Sequence, residues 1–327
     1  MKFAGRYGTI LPESTPAVVQ RTYGISDMDV LIVGSVALDT VITPFGSTEE
    51  ALGGSATYFS LAARIFAQPG LVAVVGDDFP EQHVRMFREC RIDVEGLEVR
   101  PGKTFRWSGK YGFDLNQRET LSTFLNVFEH FHPKLPEAYR TAEFVFLGNI
   151  HPALQHEVLD QVKSPRFVAC DTMNLWIATE RDALCDLIKR VDAIVLNDAE
   201  AREFSGEPNL AKAARKIHDL GCLKVIIKKG EHGCLFFTPH SHFSAPAYPL
   251  ESVLDPTGAG DAFAGGMMGY LAQNGELDDL SIRRAIIYGS VLASFAVEDF
   301  SVQRLLDITG SQIESRYKEF EEITRFA

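Results

Sequence analysis

A short run of small and acidic residues, from Asp255 to Asp261, could carry out chemistry on a phosphate group. Its core, Thr-Gly-Ala-Gly, leads straight into a segment predicted to be helical, so several backbone N–H groups would lack partners and point the same way. With the helix dipole behind them, these groups would bind a phosphate or another anion. A simple helix cap is the alternative, but a cap needs only one polar residue, and here two carboxylates flank the core.

Asp261 is the unexpected residue at such a site, because a carboxylate in the first helical turn would repel a phosphate that was merely held there. It makes sense as a base that takes a proton from a hydroxyl while the N–H groups stabilise charge developing on the phosphoryl group. The run therefore predicts phosphoryl transfer to an alcohol.

Two further features lie near the first predicted strand. Asp39 follows that strand and could accept hydrogen bonds from two neighbouring hydroxyls, and an exposed aspartate in a turn is an equal alternative. The pair Gly53-Gly54 precedes a predicted helix and would allow close approach of a ligand or act as a hinge. Taken alone, the glycine pair would be only a turn.

Two more features follow later strands. Asn197 and Glu200 would share a face at the start of a helix, where they could hold a hydrated Mg²⁺ and its phosphates or form a capping box. In the segment from Lys228 to Gly233, a lysine could reach a phosphate as a point charge. The alternative is a hairpin turn into the next strand.

The elements that must position these residues alternate along the chain. Buried apolar runs, predicted as strands, are separated by helical patterns; they start at Val30, Leu71, Phe144, Phe167, Ala193 and Val225. This alternation predicts an α/β fold, a three-layer αβα sandwich whose central sheet is mostly parallel. We expect residues 1–29 to be an N-terminal extension and residues 30–327 to form one domain.

One region interrupts the alternation. Residues 94–125 are rich in aromatic and β-forming side chains, and with residues 38–52 they predict a small separate sheet. Such a sheet could be a lid over the strand ends, a dimerisation surface, or both. Its aromatic residues Phe105, Trp107 and Tyr111 could stack on a nucleobase or form the core of the lid.

Composition narrows the classes of partner. Lys and Arg number 32 and Asp and Glu 44, which gives a net charge of −12 and a poor surface for nucleic acid or anionic membranes. The five cysteines lack CxxC spacing, which is typical of free thiols in a reducing compartment. Because no apolar run is long enough to cross a membrane, we expect a cytoplasmic protein.

Two sets of residues resemble binding motifs without matching them. Gly96 to Thr104 nearly spells a Walker A loop, but the spacing between its glycines is one residue too long and a β-like segment follows. The pairs His130/His132 and His240/His242 have no Cys or acidic partner at metal-ligand spacing. We expect neither set to bind phosphate or metal.

The motifs, in their order, resemble the ribokinase family, also called the PfkB carbohydrate kinases, over nearly the whole chain. Four segments carry the resemblance: Asp255 to Asp261 and Gly53-Gly54 as the two signatures, Asn197 with Glu200 as the N-x-x-E element, and Lys228 to Gly233 as the loop near the nucleotide. The resemblance implies a β-lid over the acceptor and a requirement for ATP and Mg²⁺.

It also implies a role for each matching residue. On the acceptor side, Asp261 would be the base, and Asp39 with the backbone of Gly53 and Gly54 would contact the acceptor. The anion hole would be formed by the amides of Gly258, Ala259 and Gly260. The ATP site would include Asn197, Lys228, Gly230 and Gly233, with Glu200 acting through Mg²⁺. Asp255 lies where several members bind a monovalent cation, usually K⁺.

The sequence departs from the family pattern near the acceptor. Tyr58 stands where many members carry Asn, and Ala37 stands where ribokinases have a sugar-binding Asn, so ribose is not the expected acceptor. Pro256 replaces a commoner Thr, and Phe300 replaces a Gly near the adenine. We predict an ATP-dependent kinase of a sugar or cyclitol. Two copies of the chain could form a homodimer through the lid. The alternatives are a nucleoside kinase and a catalytically silent binding or regulatory relative.

Overall fold

The computed structural model of the chain describes residues 28–325, so the extension predicted at residues 1–29 lies almost wholly outside the described residues. The strands of the described part are β1 (Val30–Val33), β2 (Ala37–Thr43), β3 (Gly46–Gly53), β4 (Pro69–Gly76), β5 (Leu97–Arg100), β6 (Phe105–Tyr111), β7 (Arg118–Phe124), β8 (Phe144–Leu147), β9 (Phe167–Asp171), β10 (Ala193–Asn197), β11 (Lys224–Lys228), β12 (Cys234–Phe237) and β13 (His242–Ala245). The α-helices are α1 (Ser55–Ala63), α2 (Glu81–Glu89), α3 (Pro152–Leu159), α4 (Asn174–Thr179), α5 (Arg181–Ile188), α6 (Asp198–Ser205), α7 (Leu210–Asp219), α8 (Ala259–Asn274), α9 (Asp279–Ala296), α10 (Gln303–Asp307) and α11 (Gly310–Thr324).

A large sheet forms the centre of the fold, with strand order β13-β12-β11-β10-β9-β8-β1-β4-β5. The strands from β11 to β5 run parallel, and β12 and β13 pair antiparallel at one edge. Alternate residues of β1 enter two different cores: Val30 and Ile32 pack with α1, α8 and α9, whereas Leu31 and Val33 pack on the opposite face. The predicted α/β sandwich with buried parallel strands is confirmed.

A second sheet of four strands has the order β3-β2-β6-β7. Its two hairpins, β2–β3 and β6–β7, are joined by parallel pairing of β2 with β6. The predicted start of this sheet near residue 94 is wrong, because β5 pairs in parallel with β4 and extends the large sheet. The strand–helix alternation thus continues through α2 for one unit more than the aromatic composition indicated.

Helix α8, which follows the anion-loop run (residues 255–261), packs unusually close to its neighbours because its inner face carries glycines. A Cβ at Gly265 would overlap the carbonyl oxygen of Phe59, and one at Gly269 would come within 2.7 Å of the carbonyl oxygen of Ala63. On its other side, Gly266 faces Gly289 of α9. Any larger residue would push α8 away from α1, so these glycines fix where its N-terminus lies.

The segment that nearly spells a Walker A loop is a structural turn. The amide and hydroxyl of Thr104 both donate to the Asp78 carboxylate at 2.7 Å, and the amide of Gly76 donates to the Thr104 hydroxyl. These bonds fix the loop to the end of β4. Within residues 28–325, no helix is long and apolar enough to cross a membrane.

Candidate active site

The anion loop, Asp255 to Asp261, ends in the first turn of α8. Gly258 is the N-cap in a left-handed conformation (φ 76°), and no side chain caps the helix. The Ala259 amide donates to the Pro256 carbonyl at 3.3 Å, but within the described residues the amides of Gly258 and Gly260 have no partner. Two of the three predicted anion-hole amides are therefore open to an anion.

The Asp261 carboxylate lies in the first turn of the same helix. Burial, with a further contribution from the charge of Asp171, raises its pKa to about 7, while the nearby charges of Lys228 and Arg118 act in the opposite direction. A carboxylate with a pKa near neutrality can accept a proton from a hydroxyl and release it again at physiological pH. A carboxylate in this environment is suited to act as a general base, which stays a prediction for Asp261.

Two charged residues at the ends of large-sheet strands face the anion loop. Lys228 Nζ lies 3.3 Å from Asp171 Oδ2, and a Cβ at Gly260 would lie only 2.8 Å from that ammonium. Lys228 thus projects over the loop, as its predicted role at the phosphates requires. Sequence reasoning missed Asp171, although an aspartate that directly follows a buried strand was a usable signal.

The Asn197–Glu200 pair forms the capping box that was the alternative to a metal site. The Glu200 amide donates to Asn197 Oδ1 at 2.8 Å, and the Asn197 amide donates to Glu200 Oε2 at 2.7 Å. Burial, then the charge of Asp171, raises the pKa of the Glu200 carboxyl to about 7. The cap engages one Glu200 oxygen, so the other is available to a ligand.

These residues fit a hydrated Mg²⁺ better than a metal cage built only of protein ligands. Glu200 and Asp171 are buried carboxylates, and the charge of Asp171 adds to burial in raising the pKa of Glu200, a repulsion that a divalent cation would relieve. Within the described residues, no cluster of three or more acidic, His or Cys side chains could hold a metal. Mg²⁺ commonly takes one or two carboxylates and keeps water and phosphate oxygens as its other ligands.

On the acceptor side, Asp39 of β2 is buried against the glycine pair. A Cβ at Gly53 would overlap the Asp39 carboxylate, so only glycine fits there. Gly54 has φ 92° and packs on the backbone of Ser35, which places the start of α1 beside the end of β1. Asp39 Oδ1 is buried without a hydrogen-bond partner among residues 28–325, an unfavourable state that a ligand hydroxyl would relieve.

Tyr58 of α1 links the acceptor side to the anion loop. Its ring lies against Gly258 so closely that a Cβ on this glycine would overlap the ring atoms. Burial raises the pKa of the Tyr58 phenol, and the charges of Asp255, Asp39 and Asp261 raise it further. Tyr58, which stands where many family members carry Asn, therefore lies near the carboxylate of β2 and near both carboxylates of the anion loop.

One face of the small sheet is turned toward the anion loop. The Thr257 hydroxyl donates to the Tyr111 hydroxyl at 3.2 Å, and Arg118 pairs opposite Tyr111 in the β6–β7 ladder. Burial raises the pKa of both Asp39 and Asp261, and the charge of Arg118 offsets part of this rise. The small sheet therefore brings a cation to the centre of the site, a residue that the sequence did not single out.

The three aromatic residues proposed to stack on a nucleobase have different environments. Phe105 stacks on Phe128 with ring centroids 5.3 Å apart, so its ring packs against the segment that follows β7. Tyr111 is buried, and its hydroxyl accepts the hydrogen bond from Thr257. Trp107 is half-buried: the Arg118 guanidinium lies 5.6 Å from its ring centroid, and a Cβ at Gly109 would overlap the edge of the ring.

The glycines of the loop after β11 serve a turn, as the hairpin alternative anticipated. The Lys229 amide donates to the Gly233 carbonyl at 2.7 Å, and a Cβ at Gly230 would overlap Asn116 from the β6–β7 hairpin. Asn116 Nδ2 also lies 3.4 Å from a carboxylate oxygen of Glu231. The small sheet therefore touches the loop that was predicted to line the ATP site.

Asp255, the first residue of the anion loop, and Phe300 are two further residues that the sequence singled out. Asp255 is buried and accepts hydrogen bonds from the amides of Thr257 at 2.9 Å and Ser301 at 3.2 Å. Phe300 packs against Gly46, the first residue of β3, and a Cβ at that glycine would lie 3.1 Å from the Phe300 ring. Phe300 therefore supports the small sheet.

An α/β fold with an open helix N-terminus, a buried carboxylate in the first turn of that helix and a lysine over its glycines is suited to transferring phosphoryl groups to hydroxyls. The family model described as pfkB family carbohydrate kinase matches residues 27–308, and the chain belongs to this family. It is a phosphotransferase with an alcohol acceptor, and it uses ATP.

Three known proteins illustrate the relationship. The cytidine kinase of Thermococcus kodakarensis is 31% identical over 268 residues, which cover 79% of this chain and 95% of that protein. The nucleoside kinase of Burkholderia thailandensis in complex with inosine superposes with a TM-score of 0.75 at 21% identity, covering 89% of this chain and 97% of the other. A putative ribokinase II from E. coli with ATP and Mg²⁺ gives a TM-score of 0.73 at 18% identity, covering 90% and 100%. These two structures share the fold of this chain.

Proposed function

We propose that the protein phosphorylates a hydroxyl of a nucleoside with ATP. The observation that carries the proposal is the pairing of Asp39 with Trp107 in the parallel β2–β6 register. Paired residues of neighbouring strands point to the same face of a sheet, about 5 Å apart. A carboxylate that can accept two hydroxyls and an aromatic surface that can stack on a base therefore lie side by side.

Other features support a nucleoside over the sugar or cyclitol expected from the sequence. A free sugar has no aromatic ring that could stack on Trp107. Ala37 has no polar side chain at the position where, as the resemblance implies, ribokinases carry a sugar-binding Asn. The similarity to a cytidine kinase over most of both chains agrees with this choice.

In the proposed reaction, Asp261 takes the proton of the acceptor hydroxyl as that oxygen bonds to the γ-phosphorus. The bond from this phosphorus to the bridging oxygen of ATP breaks, and ADP leaves. The amides of Gly258 and Gly260 would stabilise the charge on the transferred group, and Ala259 would join them only if its contact with Pro256 opens. Asp39 would hold the acceptor by its hydroxyl pair, against the backbone of Gly53 and Gly54.

We assign the ATP side to the ends of β10 and β11. Asn197 and Lys228 are register partners at these ends, so a phosphate chain could contact both side chains. Gly230 and Gly233 shape the adjoining turn, and Glu200, with Asp171 nearby, would hold Mg²⁺ through water. Bound Mg²⁺ would neutralise charge on the phosphates. The five free thiols and the use of ATP fit the proposed cytoplasmic location.

A monovalent cation such as K⁺ at Asp255 is also proposed. The carboxylate already links the anion loop to Ser301, and each oxygen has a further lone pair for a cation. We expect activity to fall when K⁺ is replaced by tetramethylammonium at constant ionic strength. Equal activity in the two salts would contradict this assignment.

The proposed dimer would use the outer face of the small sheet. Ile42, Phe45 and Leu121 are exposed large apolar side chains in or beside its strands, and burying them would be favourable. Sedimentation of the wild type against a variant with Ile42→Glu and Leu121→Glu tests this proposal. A wild type that sediments as a monomer at all concentrations would contradict it.

The acceptor is tested by measuring ADP formation from ATP and Mg²⁺ with each candidate separately. The panel is cytidine, inosine, adenosine, ribose, fructose and myo-inositol, and each nucleoside is matched by its 5′-deoxy form as a control without a primary hydroxyl. We expect turnover with at least one nucleoside and none with its 5′-deoxy form. Turnover with only a sugar or the cyclitol would overturn the nucleoside proposal, and no acceptor-dependent turnover would favour a silent relative.

A further inference from the structure

Asp171 is held in place from several directions at the end of β9. Its Oδ1 accepts a hydrogen bond from the Thr172 amide at 2.7 Å, and its main-chain carbonyl accepts one from the buried Gln155 side chain at 3.1 Å. Its other carboxylate oxygen, Oδ2, faces Lys228 Nζ. The carboxylate is therefore fixed in orientation and has one oxygen directed at the lysine.

Lys228 is a flexible side chain in a confined position. Its ammonium lies over Gly260, and the side chain is only 19% exposed, against 8% for Asp171. The ammonium has three donors, and within residues 28–325 it donates one hydrogen bond, to Asp171. The remaining donors can meet an anion that enters the anion loop.

A buried ion pair of this kind is weak evidence for a contribution to stability. Removing two charges from water costs about as much free energy as their attraction returns, and apolar residues often replace such pairs without loss. The position of the ammonium says more about its role, because a four-carbon side chain without a fixed partner would sample many positions. The ion pair with Asp171 favours the position above Gly260.

We propose that Asp171 is a positioning residue, which holds the Lys228 ammonium over the anion loop so that the lysine meets the transferred phosphoryl group. This inference rests on the proposed function, since it needs a phosphoryl group at the loop. Asp171 acts through Lys228 and does not touch the reacting atoms.

The test is a double-mutant cycle on Asp171→Asn and Lys228→Met. Binding is measured by calorimetry without acceptor, using ADP and the non-hydrolysable β,γ-imido analogue of ATP, each with Mg²⁺. Because a charged hydrogen bond is involved, Lys228→Met should weaken binding of the analogue by about 30-fold and that of ADP by less, and Asp171→Asn by about tenfold. The double variant should bind the analogue no more weakly than Lys228→Met.

Turnover gives a second readout. Asp171→Asn should lower kcat by about tenfold or more while the KM for the acceptor stays within about twofold, and Asp171→Glu should recover part of kcat. The control is Asp186→Asn, which removes the carboxylate of an exposed Asp–Lys pair with a 2.8 Å contact and should change nothing. Wild-type values for Asp171→Asn would overturn the proposal, as would losses that multiply in the double variant.

The same set of variants distinguishes a failure to fold, or a failure of the proposed function, from a failure of the positioning role of Asp171. If Asp171→Asn alone leaves the lysine uncompensated and fails to fold, the double variant, which lacks both charges, is compared with Lys228→Met. Asp171 must then make no difference to binding of the analogue, and a further loss of about threefold or more would overturn the proposal. If the wild type binds the analogue but phosphorylates no acceptor, the proposed function fails while the binding cycle still decides the role of Asp171.

Discussion

The two sides of the site are built in different ways. The phosphate side consists of backbone amides at the start of α8 with Lys228 and Asp171 at the ends of large-sheet strands. The acceptor side consists of side chains from α1 and the small sheet, chiefly Asp39, Tyr58 and Trp107. The amides of the phosphate side therefore depend on main-chain geometry, which tolerates few changes. The acceptor side depends on side chains that can vary, and it is where this chain departs from its family.

The two sides touch where the Tyr58 ring packs on Gly258 and where the Thr257 hydroxyl meets Tyr111. A change in acceptor binding can therefore reach the anion loop without passing through solvent. Variants should therefore fall into three groups. The first lowers kcat alone, the second lowers kcat/KM for both substrates, and the third weakens binding of the acceptor alone.

The largest expected effect belongs to chemistry alone. Asp261→Asn keeps the shape of the side chain but removes its ability to accept a proton, so kcat should fall by about 10³- to 10⁴-fold. Binding of the ATP analogue should persist, and exposed Asp182→Asn should behave as the wild type. Steady-state kinetics with the accepted nucleoside provide the measurement, and near-normal turnover of Asp261→Asn would remove the base from the mechanism.

The phosphate side could be predicted from the sequence because its parts are adjacent in the chain. Seven consecutive residues contain the loop, its glycines and the base, and Asn197 with Glu200 form a cap that local spacing already indicated. Asp171 could not be assigned in this way, because its partner Lys228 is 57 residues away and only strand order brings them together. The contact of Tyr58 with Gly258 likewise depends on the packing of α1 against α8.

The small sheet shows the same limit. Its composition predicted β-structure, but the register that places Asp39 beside Trp107 depends on parallel pairing between two separate hairpins. The assignment of β5 to the large sheet also depends on tertiary pairing, since its four residues have no distinctive pattern.

A change at the point of contact should affect both sides. Gly258→Ala would place a methyl group inside the Tyr58 ring and strain a residue with φ 76°, so the anion loop and the acceptor wall must both shift. We expect kcat/KM to fall by about 10²-fold for ATP and for the acceptor alike. The measurement is initial rates with each substrate varied in turn.

A matched control for this variant is Gly310→Ala, at an α11 residue where a Cβ would meet nothing within 4 Å. Adding Tyr58→Ala to Gly258→Ala should relieve the overlap and recover part of the loss for ATP. An effect of Gly258→Ala on only one substrate would show that the two sides are not coupled through this contact.

A change confined to the acceptor side should leave ATP binding intact. Trp107→Ala removes the ring surface beside Asp39, and the stacking of one base contributes about 1–3 kcal/mol, so the nucleoside KM should rise by about tenfold or more. The KM for ATP should remain within about twofold. Phe113→Ala, which removes an aromatic residue that is 90% exposed in the same sheet's hairpin, is the control. An unchanged nucleoside KM would place the base elsewhere.

The smallest expected effect is on stability, and its sign follows from the raised pKa of Asp261. Folding raises this pKa from 3.8 to about 7, so the native state binds the proton more tightly and loses stability as pH rises between these values. Asp261→Asn removes that penalty but also a favourable charge at the N-terminus of α8, leaving a net gain on the order of 1 kcal/mol at pH 8. Thermal unfolding should show a midpoint about 2 °C higher at pH 8 and a difference that vanishes toward pH 4, with no such trend for Asp182→Asn. A variant less stable than the wild type at pH 8 would mean that Lys228 and Arg118 already compensate the buried charge of Asp261. The ionised carboxylate would then not destabilise the phosphate side before the substrate binds.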